Sequence, residues 1–292
     1  MNLMETKSIG RKIAEARKNS QLSQAKLSEE LFISPQAVGK WERGGSMPDI
    51  ISLNKLAKIL KVDLNYFSED FDSTPQNNTK PTAEEKAINN TFDFSGGIWE
   101  DADFSGLKNL HQQFREGNLK NCQFIGATLS PLHLKDNQII QCDFTKSDWQ
   151  QSKVERSSLT KNTFEQTNFS KASFLKSYIK NGSMVGANFS EATFDHCHLQ
   201  QLKCKHALWQ KTKFTQTSFE QMTFVGQFED CAFDGCGFKK VTFENATLVN
   251  TFFKNNRKLK DIRFVNCKAD ALTCAFLKNE GVKLDGIEVV EE

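Results

Sequence analysis

The sequence predicts a multidomain protein in which a small all-α bundle is followed by an all-β solenoid. Residues 1–70 carry the apolar periodicity and the capping signals of short helices. From Phe94 to Phe224, by contrast, a large apolar side chain stands at every fifth position, and only Asn109 and Cys204 interrupt the series. A polar segment containing a proline separates the two patterns, so we expect two units joined by a linker.

The five-residue period predicts the architecture of the second unit. It fits neither the 3.6-residue period of a helix nor the 2.0-residue period of a strand, whereas repetition at a fixed spacing is typical of a solenoid. The residue two positions before each large one is usually small, as Ala102 is before Phe104 and Ala187 before Phe189. Because residues two apart on an extended backbone point the same way, each unit puts one large and one small side chain inside and then turns.

Units such as residues 102–106 (Ala-Asp-Phe-Ser-Gly) and 187–191 (Ala-Asn-Phe-Ser-Glu) resemble the pentapeptide repeat family. The resemblance implies a right-handed quadrilateral β-helix over residues 91–270, with about twenty residues in each four-unit coil. Residue types sort by position at that spacing, and one column reads Phe104, Phe124, Phe144 and Phe164. About nine coils at the strand spacing of ~4.8 Å would give a rod ~45 Å long.

The five-residue period is interrupted twice. The step from Phe224 to Phe228 is one residue short, and one extra residue between Phe253 and Leu259 restores the original phase. The second break lies in residues 254–260, which are rich in lysine and arginine. We therefore expect a basic protruding turn there, which is either an interaction loop or a solvated insertion.

Two segments of the rod are candidates for contact with a second copy of the chain or with a partner protein. One is the basic turn, with Arg257 and Lys258. The other is the C-terminal segment, residues 271–292, which is predicted to be a cap helix and a tail and in which Phe276 and Leu277 are apolar. Pentapeptide repeat proteins often dimerise through a C-terminal helix, although capping of the last coil would explain the same two residues.

Charge and motif content exclude several functions. The chain carries 38 Lys and Arg against 36 Asp and Glu, and residues 91–276 carry 23 against 19. Some pentapeptide repeat proteins are acidic rods that imitate DNA and occupy DNA gyrase, so a rod that is not acidic argues against DNA mimicry. The sequence has no phosphate-binding glycine loop and no nucleophile motif. We expect neither an enzyme nor a cofactor.

All eight cysteines fall on the inward tracks of the repeat, where a free thiol behaves as a small apolar filler. His196 and His198 alternate with the inward Cys197 and so point outward, and His206 is half a coil away. These groups cannot converge on one ion, and we expect no metal site. Unpaired cysteines fit a reducing cytoplasm, and no apolar run or signal peptide indicates a membrane.

The first unit begins its helices at clear signals, with Ser23 and Ser34 as N-caps and Pro35 at a first helical position. The sequence of residues 24–28, 34–44 and 47–49 resembles the helix-turn-helix domain of phage-repressor-like (XRE-type) regulators. The resemblance spans residues 8–68 and implies that the third helix lies in the major groove of double-stranded DNA.

The resemblance and helix geometry together assign roles on that third helix. Gln36 is expected to read adenine, and Lys40, one turn later, to reach guanine acceptors. Apolar contacts at base edges are expected from Pro35 and Ala37, and phosphate contacts from Gln24, Ser34 and Arg43. In this family the positions of Arg17 and Glu42 commonly form an internal ion bridge, so those two are expected to be structural, and Val38 and Trp41 are expected to face the core.

Residues 71–90 are predicted to be a flexible linker ending in a short N-terminal cap helix, because residues 82–85 (Thr-Ala-Glu-Glu) fit a capping box. The whole sequence therefore predicts a DNA-binding transcription regulator, with a repressor favoured over an activator. Its rod would form a homodimer or bind a partner protein. Two alternatives remain, a gyrase-binding protection protein of the quinolone-resistance type and an interaction scaffold whose head regulates its own operon.

Overall fold

The structure is a computed structural model that describes residues 3–48, 50–62, 64–67, 96–108, 110, 114 and 116–290. The chain divides into two compact units, residues 1–92 and 93–292, here called the head and the solenoid. The predicted linker and its capping box, within residues 71–90, lie outside the described residues.

The head is a small helical bundle. Its helices are α1 (Leu3–Asn19), α2 (Gln24–Leu31), α3 (Pro35–Glu42), α4 (Ile50–Leu60) and a 3-10 helix (Leu64–Phe67). Their apolar faces meet in one core made of Ile9, Ile13, Ala16, Leu27, Leu31, Val38, Leu53, Leu56, Ala57, Leu60 and Phe67. The small all-α bundle expected from the sequence is confirmed.

The helix starts follow the predicted caps. Ser23 Oγ accepts a hydrogen bond from the Lys26 amide at 3.0 Å, and Ser34 Oγ accepts one from the Ala37 amide at 3.3 Å. Pro35 is the first residue of α3, where its missing N–H leaves no helical bond unmade.

The solenoid is a four-sided parallel β-helix. One sheet contains, in order of pairing, Ile98–Glu100, Asn118–Lys120, Gln138–Ile140, Ser158–Thr160, Tyr178–Lys180, His198–Gln200, Ser218–Glu229, Gly237–Val249, Cys267–Asp270 and Ile287–Val290. Three further strands, Lys203–Cys204, Trp209–Gln210 and Arg263–Val265, pair with the two long strands of this sheet. A second sheet contains His133–Lys135, Lys153–Glu155, Ser173–Leu175, Thr193–Asp195, Lys213–Thr215, Ala232–Asp234 and Phe252–Lys254. Isolated bridges form the other two sides, such as Asp143↔Thr163 and Asp148↔Asn168. In the coils before Trp209 partners lie twenty residues apart, which confirms the predicted coil.

Both predicted register breaks are present. Trp209 pairs with Phe228 and Phe224 pairs with Phe243, so partners there are nineteen apart, and the irregularity falls between Phe224 and Gly226. Gly226 has φ of 119°, a conformation that a residue with a Cβ rarely adopts. The later insertion makes Phe243 pair with Phe264, which restores the original phase.

The second break protrudes less than expected. Arg257 still pairs with Gly237, and the Asn256 side-chain amide donates to the Phe233 carbonyl at 3.0 Å, so this half of the turn belongs to the ladder. The extra residue is accommodated afterwards, at Lys258 with φ of 58° and in a 3-10 helix over Leu259–Asp261.

Aromatic rings fill the solenoid interior in parallel stacks. The centroids of Phe104 and Phe124 lie 4.7 Å apart, those of Phe124 and Phe144 4.8 Å, and those of Phe144 and Phe164 5.1 Å. Each of these side chains is at most 1% exposed. The spacing matches that of neighbouring strands, so each coil supports the ring of the next.

The end of the solenoid is covered by helix α5 (Ala271–Asn279), whose N-cap Asp270 accepts a hydrogen bond from the Thr273 amide at 2.8 Å. Leu277 of this helix is fully buried. The residues expected to form a tail instead include the strand Ile287–Val290, in which Ile287 pairs with Cys267 twenty residues before it. The chain therefore returns to the ladder after α5.

All eight cysteines are free and buried, as their phase predicts. Burial raises the pKa of Cys204, Cys231 and Cys236 to about 12 and that of Cys197 to about 11, so their reactive thiolate forms are scarce at neutral pH. We expect the native chain to react slowly with a thiol-alkylating reagent at pH 8 and the denatured chain to react fast. Mass spectrometry after timed labelling measures both rates, and rapid labelling of most thiols in the native chain would contradict the inward assignment.

None of the helices in the described part of the chain is long and apolar enough to cross a membrane.

Candidate nucleic-acid interface

The outer surface of α3 carries most of the predicted DNA-binding residues. The exposed ones are Ser34, Pro35, Gln36, Lys40 and Arg43, while Gln24 and Ala37 are half-buried. Gln36 and Lys40 are four residues apart on one helix and so lie on the same face. The head therefore presents an amide and an ammonium group side by side.

Close packing on the inner side of α3 turns this surface outward. Val38 is fully buried, and Trp41 packs partly buried against the core, as expected. At Gly10 of α1, an added Cβ would lie 2.3 Å from the Trp41 carbonyl oxygen, so the backbones of α1 and α3 are nearly in contact. This close contact between α1 and α3 fixes the position of α3, because no side chain larger than that of glycine fits at position 10.

The predicted ion pair between Arg17 and Glu42 is confirmed. Arg17 Nε donates to Glu42 Oε1 at 2.6 Å, and its Nη2 donates to Oε2 at 3.1 Å. The guanidinium also donates to the Leu22 carbonyl at 2.7 Å. The Arg17 and Glu42 side chains are only 12% and 7% exposed, so this pair joins α1 to α3 away from bulk water.

This network shifts the ionisation of both groups. The hydrogen bond to Glu42 raises the pKa of Arg17. Burial by itself raises the pKa of Glu42, but hydrogen bonds from Arg17 and Gln24 outweigh burial and hold that pKa below its ordinary value. Glu42 is therefore ionised at neutral pH, with its charge neutralised inside the head.

Neutralisation of Glu42 determines the charge of the outer surface. Among residues 34–43 the charged side chains are Lys40, Glu42 and Arg43. Because Glu42 is turned inward onto Arg17, the two exposed charges are both positive. The N-terminus of α3 adds the partial positive charge of its helix dipole. A domain of formal charge close to zero thus presents a locally positive face.

The side-chain amide of Gln24, which is predicted to contact a phosphate, already donates a hydrogen bond inside the head. Its Nε2 donates to Glu42 Oε2 at 2.7 Å. A side-chain amide has two N–H groups, so one hydrogen remains for a phosphate. Similarly, the Ser34 hydroxyl accepts a hydrogen bond from the Ala37 amide and can still donate its own proton. Each residue therefore has a role in the fold and still has one hydrogen to donate.

Sequence reasoning missed Phe32, in the turn between α2 and α3. Its side chain is 92% exposed, and its backbone is left-handed, with φ of 57° and ψ of 42°. Such a backbone costs a residue with a Cβ roughly 1–2 kcal/mol. The only sequence signal was a phenylalanine placed between the last helical residue, Leu31, and the next cap.

The candidate contact residues of the solenoid differ in accessibility. Arg257 and Lys258 are exposed. Phe276 is half-buried, with its ring 5.0 Å from that of Phe252 in an edge-to-face arrangement. Leu277 is buried, so capping of the last coil accounts for its apolar side chain.

The histidines near Cys197 are separated as the repeat phase predicts. Cys197 is buried, His196 is exposed, and His198 Nδ1 lies 2.7 Å from Ser218 Oγ. Among the described residues, no group of three or more His, Cys, Asp or Glu side chains could hold a metal ion.

Comparisons with known proteins agree with both units. The helix-turn-helix family model matches residues 13–67, and the family model described as pentapeptide repeats (8 copies) matches residues 139–174. No curated protein sequence matches the chain.

Solved structures similar to the chain include QnrB1, a plasmid-mediated fluoroquinolone resistance protein, at 16% identity over 67% of this chain and 93% of that chain, with a TM-score of 0.35. Another is HetL, a pentapeptide repeat protein from the cyanobacterium Nostoc, at 12% identity over 60% and 90%, with a TM-score of 0.27. A third is an HTH_3 family transcriptional regulator from Vibrio cholerae, at 28% identity over 23% of this chain, with a TM-score of 0.22. The chain spans only 38% of that regulator. By the two family models, residues 13–67 form a helix-turn-helix domain of the XRE type, and the solenoid is a pentapeptide repeat structure.

Proposed function

We propose that the protein is a sequence-specific DNA-binding transcription regulator that acts as a repressor. The observation that carries this proposal is the outer face of α3. It exposes Gln36, Lys40 and Arg43, while the one carboxylate of the helix, Glu42, is turned inward onto Arg17. The family match of the head supports the same function. The buried free thiols support a place in the reducing cytoplasm.

The proposed contacts divide into those that read bases and those that fix position. Gln36 pairs with adenine and Lys40 with guanine in the major groove, and Pro35 and Ala37 make apolar contacts at base edges. Phosphate contacts come from Gln24, Ser34 and Arg43. Each of these residues is on α3, directly before or after α3, or at the start of α2, so one helix insertion engages all of them.

Truncation of the readers tests the function. Gln36→Ala and Lys40→Ala should each weaken binding to the specific site by about 1–3 kcal/mol, because each removes a base contact. The site would first be selected from random double-stranded DNA with the wild-type chain, and affinities measured by fluorescence anisotropy at one fixed salt concentration.

Lys55→Ala is the matched control, since Lys55 is an exposed lysine on α4 and its loss removes the same charge. We expect Lys55→Ala to bind nearly as the wild type does. If Gln36→Ala and Lys40→Ala also bind like the wild type, with unchanged circular dichroism, α3 is not the reading helix.

We further propose that the solenoid joins two chains into a homodimer or binds a partner protein. A single head has few base contacts, whereas two joined heads would read half-sites about 34 Å or a multiple of that apart. The exposed Arg257 and Lys258 and the half-buried Phe276 are the contacts that we assign to this role. The mass of the full-length chain in solution tests the dimer.

A further inference from the structure

We propose that Phe32, in the turn between α2 and α3, is a DNA-contacting residue that packs against apolar groups of the operator beside the bases read by α3. This inference rests on the proposed function of the head, because it adds a residue to that interface. Three observations lead to it: the exposure of the ring, its strained backbone, and its place in the chain.

The ring contributes almost nothing to the fold. Phe32 is 92% exposed, although the residues on both sides of it are inside the head. Leu31 is 4% exposed, and Ile33 packs partly buried against the core. Because both neighbours point into the head, the Phe32 side chain between them points outward.

The turn is rigid. The Phe32 amide donates to the Glu29 carbonyl at 3.1 Å, and the Ile33 amide donates to the Ser28 carbonyl at 3.0 Å. These two bonds close the end of α2 in the manner of a left-handed helix cap, a position where glycine or asparagine is preferred. The chain instead places a large apolar residue there, which the fold does not require. Left-handed residues with a Cβ occur elsewhere in the described chain, as at Gln21, but Phe32 is the one among them with an apolar side chain.

The position of the ring is next to the proposed interface. Phe32 is two residues from Ser34, the N-cap of α3, and Ser34 and Pro35 are themselves exposed. Consecutive Cα atoms are 3.8 Å apart, so the two residues cannot be separated by more than about 7 Å. An exposed aromatic ring at that edge offers no hydrogen bond. It can contact the C5-methyl group of thymine, the apolar feature of the major groove.

The test separates binding from folding. In the full-length chain, Phe32→Asn should weaken binding to the selected site about five- to twentyfold, because the apolar contact is lost. Asparagine tolerates the left-handed backbone, so the same variant should slow hydrogen exchange at the amides of α2 and α3 by about two- to fivefold. A tighter fold with weaker binding is a combination that a purely structural role for Phe32 does not give.

Gln21→Asn is the matched control. Gln21 is also exposed, also left-handed, with φ of 56°, and carries no charge. This variant should slow exchange near its own turn but keep the affinity of the wild type within about twofold. A photoreactive benzoylphenylalanine at position 32 should crosslink to DNA on irradiation, at a thymine within the site, while the same group at position 21 should not.

The outcomes are distinguishable. If the wild type selects no DNA site, the proposed function of the head fails. If Gln36→Ala loses affinity but Phe32→Asn keeps it and position 32 does not crosslink to DNA, the head binds DNA and the inference about Phe32 is wrong. Faster exchange in Phe32→Asn would make Phe32 a structural residue and would overturn the inference as well.

Discussion

Replacing Phe164 by alanine should destabilise the solenoid by about 3–5 kcal/mol, because a fully buried ring is removed from a stack that cannot close over the gap. Phe164 is 1% exposed, stacks on Phe144 with centroids 5.1 Å apart, and meets the edges of Trp149 and Phe169 at 5.8 and 5.4 Å. Backbone ladders on four sides hold the coils at a fixed spacing, so the cavity persists.

The damage should start locally, since each coil contacts only its neighbours. Hydrogen exchange of the full-length chain should become fast first around residues 144–184 and later elsewhere in the solenoid. Phe164→Leu is the control, because it keeps most of the apolar volume and should cost about 1 kcal/mol. Exchange rates in Phe164→Ala that match those of the wild type would show that the Phe164 ring contributes little to the stability of the stack.

The same variant tests the proposed dimer. The head has its own core and should keep its exchange protection when the solenoid frays. If the solenoid joins two chains, the mass in solution should fall to that of a monomer, and the affinity for the selected site should fall with it. A chain that has lost solenoid structure but stays dimeric with full affinity would place dimerisation in the head.

Replacing Glu42 by glutamine should destabilise the head by about 2–4 kcal/mol, because Arg17 would keep its charge without a buried counter-ion. The pair is linked by two hydrogen bonds, and Gln24 adds a third to the same carboxylate. Native-state hydrogen exchange at the amides of α1 and α3 measures the loss. An exchange pattern like that of the wild type would show that the pair contributes little.

The pH dependence has a definite sign. The folded-state pKa of Glu42 lies below its ordinary value, so its contribution to stability is present above the unfolded-state pKa and is lost as the pH falls through the folded-state pKa. The wild-type head should therefore lose protection below about pH 4.5, and Glu42→Gln should lose less over the same range. Glu29→Gln is the control, because Lys26 and Glu29 form an exposed pair, at 56% and 69%, that contributes little.

The architecture was predictable because the repeat restricts which residue types can occupy its buried positions. A buried column of rings such as Phe104, Phe124 and Phe144 cannot be varied freely, so its spacing is visible in the sequence. The shortened coil before Phe228 was visible for the same reason. Caps such as Ser34 were equally clear, since an N-cap acts through contacts within four residues.

Other features depend on contacts that carry no local pattern. The strand Ile287–Val290 follows a helix, outside the five-residue beat, and only its pairing with Cys267–Asp270 defines it. Asn256 was expected on a protruding turn, but its side chain donates a hydrogen bond to the Phe233 carbonyl of the preceding coil. The exposure of Phe32 could not be predicted, because apolar residues usually signal burial.

The regular spacing of ladder partners also affects how the gene for such a rod can change. Wherever partners lie twenty residues apart, as Val154 and Phe174 do, duplication or deletion of the coding sequence for one whole coil would leave every remaining side chain on its original face. Between Trp209 and Phe224, where partners are nineteen apart, the same event would have to remove or copy the irregular coil intact. Inheritable changes in length should therefore be confined to the regular coils before Trp209, and the C-terminal end should keep its length.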